Sequence, residues 1–98
     1  MDIKDHKMGL VVITLKILPD SPEIDPLNFL NDVKKIIENF GGRYIQHDIK
    51  PFVFGLKSLE IKFSYPDTEF REEEFLNKIR EIEGISSAEI TNVTLSSL

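Results

Sequence analysis

Ninety-eight residues, 11.3 kDa, are enough for one hydrophobic core and too few for two. The 41% apolar fraction and seven Phe can fill that core, while the absence of Cys excludes a disulfide framework, thiolate zinc sites and thiol catalysis. A net charge of −5, from 12 basic and 17 acidic side chains, lacks the basic footprint of a nucleic-acid binder. No apolar run nears the roughly 20 residues needed to span a bilayer, and Met1-Asp2-Ile3-Lys4-Asp5-His6-Lys7 has no signal-peptide core, so a soluble cytoplasmic chain is expected. The acidity is local: over residues 67–83 seven acids face only Arg71, Lys78 and Arg80.

Residues 10–18 are β-branched and carry an unbroken apolar face of Val11, Ile13, Leu15 and Ile17, which predicts a central strand. Pro19-Asp20-Ser21-Pro22 stops it. Asp25 then supplies an N-cap acceptor and Pro26 a first helical position, so a helix is predicted from there. Its apolar stripe is Leu27, Leu30, Val33, Ile37 and Phe40, and Gly41-Gly42 can take the left-handed conformation that closes it. Residues 43–50 alternate more weakly, with Ile45, His47 and Ile49 against Tyr44, Gln46 and Asp48. Pro51 follows, which predicts an outer strand.

Residues 57–65 alternate cleanly, Leu59, Ile61, Phe63 and Tyr65 on one side and Ser58, Glu60, Lys62 and Ser64 on the other, a strand with one wet face. After Pro66-Asp67, Phe75, Leu76, Ile79 and Ile82 form a second helical stripe. Glu72, Glu73 and Glu74 lie at its positive end and Gly84 at its stop. Residues 85–95 make a last strand whose apolar parity shifts after Ile90, which predicts a bulge. The order βαββαβ predicts an α+β, ferredoxin-like domain, a four-stranded antiparallel sheet with both helices on one face.

That architecture hosts many functions, so side chains must choose among them. An RNA-recognition domain stacks bases on rings of its open sheet face, where this chain places Thr14, Lys16, Ser58, Glu60, Lys62 and Ser64. His6 and His47 lack ligand spacing and read as ordinary exposed histidines. Glu72 to Glu74 diverge around a helix axis and read as a solvated face, so neither metal nor cofactor is expected. The serines show no nucleophile elbow, and no enzyme activity is expected.

The segment that stands out is Lys50-Pro51-Phe52-Val53-Phe54-Gly55-Leu56-Lys57, two rings in a tight connection between two lysines. Either Phe52 and Phe54 fold back to plug one end of the core, or at least one ring is presented to a protein partner as an aromatic anchor.

Gly9-Leu10-Val11-Val12-Ile13-Thr14-Leu15-Lys16-Ile17-Leu18-Pro19-Asp20-Ser21-Pro22-Glu23, Pro51-Phe52-Val53-Phe54-Gly55-Leu56-Lys57-Ser58-Leu59, and Ile82-Glu83-Gly84-Ile85 leading to Glu89-Ile90-Thr91-Asn92-Val93 are three ordered blocks. Together they resemble the archaeal translation elongation factor 1-beta family. The resemblance implies a ferredoxin-like guanine-nucleotide exchange factor that promotes GDP release from the GTPase elongation factor 1-alpha, binding neither nucleic acid nor membrane directly. It implies Phe54 as the ring that contacts the GTPase, with Phe52, Lys50, Gly55 and Lys57 around it. The family also uses the end of its last strand, commonly with a basic residue directed towards the magnesium and phosphate region. Thr94-Leu95-Ser96-Ser97-Leu98 has no Lys or Arg, and that role passes to no residue here. Where members often carry Gly-Gly-Thr before the second helix, this chain has Phe70-Arg71-Glu72.

Residues 1–7 precede the usual start and are expected to be a disordered extension, leaving residues 8–98 as a single exchange-factor domain. The alternative is a small ferredoxin-like sensor of amino acids or other effectors, with Asp20-Ser21-Pro22 as its polar turn.

Overall fold

In the computed structural model, residues 9–66 and 70–96 are described. The expectation of a disordered extension over residues 1–7 lies outside them. The elements run β1 (Leu10–Pro19), a 3-10 turn (Pro26–Phe29), α1 (Leu30–Asn39), β2 (Arg43–Pro51), a short turn (Val53–Gly55), β3 (Lys57–Pro66), α2 (Glu72–Arg80) and β4 (Ile85–Ser96). The sheet order is β2-β3-β1-β4 and every pairing is antiparallel. This is the α+β, ferredoxin-like βαββαβ arrangement.

The cause is visible in the alternation. Ile13, Leu15 and Ile17 of β1 and Leu59, Ile61 and Phe63 of β3 point to one face, where Val33 and Ile37 of α1 and Phe75, Leu76 and Ile79 of α2 bury them completely or nearly so. Each such side chain stabilises the fold by about 1.5–3 kcal/mol relative to exposure. Phe75 joins Phe40, Phe63 and Phe70 in an aromatic cluster, with ring centroids 5.3–5.4 Å apart. The opposite face carries Lys16 of β1 beside Glu60 and Lys62 of β3, as the wet side of β3 predicts.

Asp25 does cap the chain at Pro26, its Oδ1 accepting from Leu27 N–H at 3.0 Å. What it starts, however, is a 3-10 turn, and the α-helix begins only at Leu30. Three residues per turn instead of 3.6 rotate the stripe. Phe29 therefore enters the core, and Leu27, expected inside, is 44% exposed. At the other end Gly41 has φ +96, Gly41 N–H donates to Glu38 O and Gly42 N–H to Ile37 O at 2.9 Å, the bonding of a left-handed helix stop.

Two edge strands shift register. In β2, Tyr44 faces Phe63 and Gln46 faces Lys62, leaving Ile45 unpaired and 46% exposed. The expected face of Ile45, His47 and Ile49 is thus corrected to Tyr44, His47 and Ile49. The bulge carries Ile45 outward so that the tyrosine ring covers the core edge. In β4, Ile90 faces Leu15 and Asn92 faces Thr14, so the extra residue is Thr91, immediately after Ile90 where the parity change predicts it.

Gly42 marks the tightest packing of backbone on core. A Cβ there would stand 3.0 Å from Ile37 Cγ2, 3.1 Å from Phe63 Cδ2 and 3.1 Å from Ser64 O. Gly42→Ala should therefore destabilise the fold by about 1–3 kcal/mol through overpacking, read as a lower denaturant midpoint with an unchanged slope.

Candidate protein-docking site

β2 and β3 pair down to Pro51↔Lys57, leaving Phe52, Val53, Phe54, Gly55 and Leu56 to connect them. Phe52 N–H donates to Leu56 O at 2.8 Å and Leu56 N–H donates to Val53 O at 3.2 Å, closing the loop from within. Inside it Phe54 sits at φ 59, ψ 30 and Gly55 at φ 77. Positive φ at both central residues is the signature of the type I′ turn, whose twist suits a β-hairpin. Gly55 takes that conformation freely, whereas a left-handed phenylalanine costs about 1–2 kcal/mol. Among the described residues Phe54 is the sole non-glycine with positive φ.

The strain is coupled to exposure. The Phe54 side chain is 89% exposed, and Val53 beside it is exposed as well. Phe52 is 37% exposed, with the Lys16 ammonium 4.4 Å from its ring centroid. Neither ring plugs the core. Pro22 stands near Gly55, where an added Cβ would lie 3.7 Å from Pro22 Cβ. The β1 exit is in turn held to the start of β4, where Asp20 N–H donates to Gly84 O at 2.8 Å. Ser21 Oγ accepts from Glu23 N–H at 3.2 Å, so the hydroxyl of the Asp20-Ser21-Pro22 turn serves the turn's own backbone.

Lys50 lies at the root of the loop with its Nζ 3.3 Å from Glu60 Oε1, and its carbonyl accepts from Ser58 Oγ at 3.3 Å. Lys57 is exposed on the opposite strand of the hairpin. Lys50, Phe52, Phe54, Gly55 and Lys57 thus occupy one end of the sheet. Lys16, remote in sequence, reaches the same place, and strand alternation alone could put it on the open face but not over Phe52.

The remaining candidates lie elsewhere. His47 is exposed and bonded through Nδ1 to Tyr44 OH at 2.6 Å, and His6 lies outside the described residues. Among the described residues no three His, Asp or Glu side chains gather as metal ligands would. Glu72, Glu73 and Glu74 stand exposed in the first turn of α2, with Glu74 3 residues on from Arg71 and 2.7 Å from its Nη1. No helix among the described residues is long and apolar enough to cross a membrane. The end of β4 pairs with Leu10, at the opposite end of the sheet from Phe54. β3 runs from Lys57 at one end to Pro66 at the other, so at roughly 3.3 Å per residue the two ends are about 30 Å apart. Ser97 and Leu98 lie outside the described residues.

The sheet thus holds one aromatic ring out on a strained turn. Comparison with known proteins places the chain in a family. Residues 12–95 match the EF-1 guanine nucleotide exchange domain. Among curated proteins, elongation factor 1-beta of Nanoarchaeum equitans is 45% identical over 80 residues, covering 82% of this chain and 98% of that one. Elongation factor 1-beta of Methanoregula boonei is 34% identical over 91% of this chain and 100% of its own length, and that of Sulfolobus acidocaldarius 33% identical over 86% and 93%. The chain belongs to the EF-1 guanine nucleotide exchange family.

Because the Phe54 ring buries almost nothing in the isolated domain, Phe54→Gly should leave thermal stability unchanged or slightly raised. Relief of left-handed strain offsets the added freedom of the unfolded chain. Phe54→Val should lower it, a β-branched residue being least tolerant of this conformation. A loss above about 2 kcal/mol for the glycine variant would mean that the ring packs on the domain in solution.

Proposed function

We propose that this chain accelerates GDP release from the translational GTPase elongation factor 1-alpha by binding its nucleotide-free state more tightly than its loaded state. The observation that carries the reading is the Phe54 ring, 89% exposed and fixed outward by a left-handed turn, on a chain of the exchange family. Elongation factor 1-beta relatives cover most of its length, which supports a partner in translation and a cytoplasmic place of action. An exposed ring in a rigid turn loses little freedom on docking, and aromatic anchors of this kind dominate interface energies.

No bond is made or broken by the factor in this mechanism. Binding energy spent on the empty GTPase shifts the equilibrium away from the GDP complex by linkage, and a thousandfold faster release needs about 4 kcal/mol of preferential stabilisation at the dissociation barrier. Phe54 supplies the anchor and Gly55 the turn that aims it. Phe52 supports the loop and borders the contact, and Lys50 and Lys57 steer the approach or bond to partner carbonyls. The tail from Thr94 onward has no Lys or Arg and is given no part.

The test is release of fluorescent GDP from elongation factor 1-alpha, with and without this protein, across magnesium concentrations. Acceleration is expected, and Phe54→Ala should weaken it by about 30-fold at subsaturating factor, the effect of losing a hot spot worth about 2 kcal/mol. Absence of acceleration at every magnesium concentration would overturn the reading.

A further inference from the structure

Given the docking role of Phe54, we infer that Lys16 is a positioning residue for the exchange loop, holding it through the ring of Phe52. Leu15 and Ile17 are fully buried beneath the helices, so Lys16 between them leaves β1 on the open face. There its cross-strand neighbours are both acids, Glu60 on β3 and Glu89 on β4. The ammonium nonetheless lies 4.4 Å from the centroid of the Phe52 ring. Glu60 is engaged with Lys50, whose Nζ is 3.3 Å from Oε1, so two adjacent charged contacts brace the root of one loop.

The position of Phe52 gives the contact its leverage. Its N–H closes the loop onto Leu56 O, and its ring is the last side chain before the turn that carries Phe54. β2 does not pair with β1, because β3 lies between them. Lys16 therefore ties the loop to β1 across an intervening strand. A cation over an exposed ring is a modest interaction, and its loss lets the turn sample other tilts, so docking affinity should fall by about two- to fivefold. Arginine keeps the charge over the ring, whereas methionine keeps only the apolar stem.

The experiment measures capture of nucleotide-free elongation factor 1-alpha by the full chain and by Lys16→Met, Lys16→Arg, Phe52→Leu, Phe54→Ala and the Lys16→Met/Phe52→Leu double variant. NMR of the free protein reads the Lys16 ε-methylene. The expected result is a ring-current upfield shift of that methylene that vanishes in Phe52→Leu. With it should come two- to fivefold weaker capture by Lys16→Met, recovery in Lys16→Arg, and no further loss when Lys16→Met is added to Phe52→Leu. An unshifted methylene, or losses that simply add in the double variant, overturns the inference. Capture sensitive to Phe54→Ala but not to Lys16→Met removes this inference and leaves the docking reading intact. Capture indifferent to Phe54→Ala removes both.

Discussion

A tight turn joining antiparallel strands must follow their right-handed twist, and a type I′ turn does so by placing both central residues at positive φ. In the five-residue connection beyond the last β2–β3 pair, Pro51↔Lys57, Phe54 and Gly55 hold those two positions. The direction of the Phe54 ring is then set by the backbone and not by anything the ring touches. Its strain of about 1–2 kcal/mol is sustained by a hairpin paired along most of its length and by the core beneath it. An aromatic ring held away from its own domain at a cost in backbone energy is the arrangement expected of a surface built for a partner.

The rest of the architecture keeps that turn still. β1, like β3, is hydrogen-bonded on both sides, and its buried Ile13, Leu15 and Ile17 fix it to the core. The loop is referred to this strand through Phe52 beneath Lys16 on its open face, with Pro22, beyond its end, near Gly55. The bulges at Ile45 and Thr91 fall on the two edge strands, where extra residues can be accommodated without disturbing the centre. Preorganisation of this kind matters for an exchange factor, since freedom lost on docking subtracts directly from the energy available to weaken nucleotide binding.

Membership of the exchange family concerns nearly the whole chain, yet the two ends of the sheet are unequal. The loop end gathers an exposed ring, its neighbouring apolar side chains and two lysines. The far end, where β4 meets Leu10, offers exposed Val93 and Leu95 and no basic side chain from Thr94 onward. That contrast is the ground on which the proposed partner contact is placed at the loop.

The element order, the core faces of β1 and β3, the helix stop at Gly41 and the bulge after Ile90 were all legible in the chain, because each follows from a local period or a local backbone preference. The prominence of Phe54 beside Gly55 was legible too, but not its direction, since a ring in a tight loop can equally turn inward. Phe29 and Leu27 exchanged places because 3-10 winding is chosen by how the segment packs and not by its spacing alone. Ile45 left the core face because pairing with β3 let Tyr44 cover that edge better. Lys16 over Phe52 joins residues far apart in the chain. Periodicity therefore determined which faces are buried. Only three-dimensional packing decided where the edge registers slip, which ring is left facing water and which cation steadies the loop beneath it, because those outcomes depend on neighbours that no local window contains.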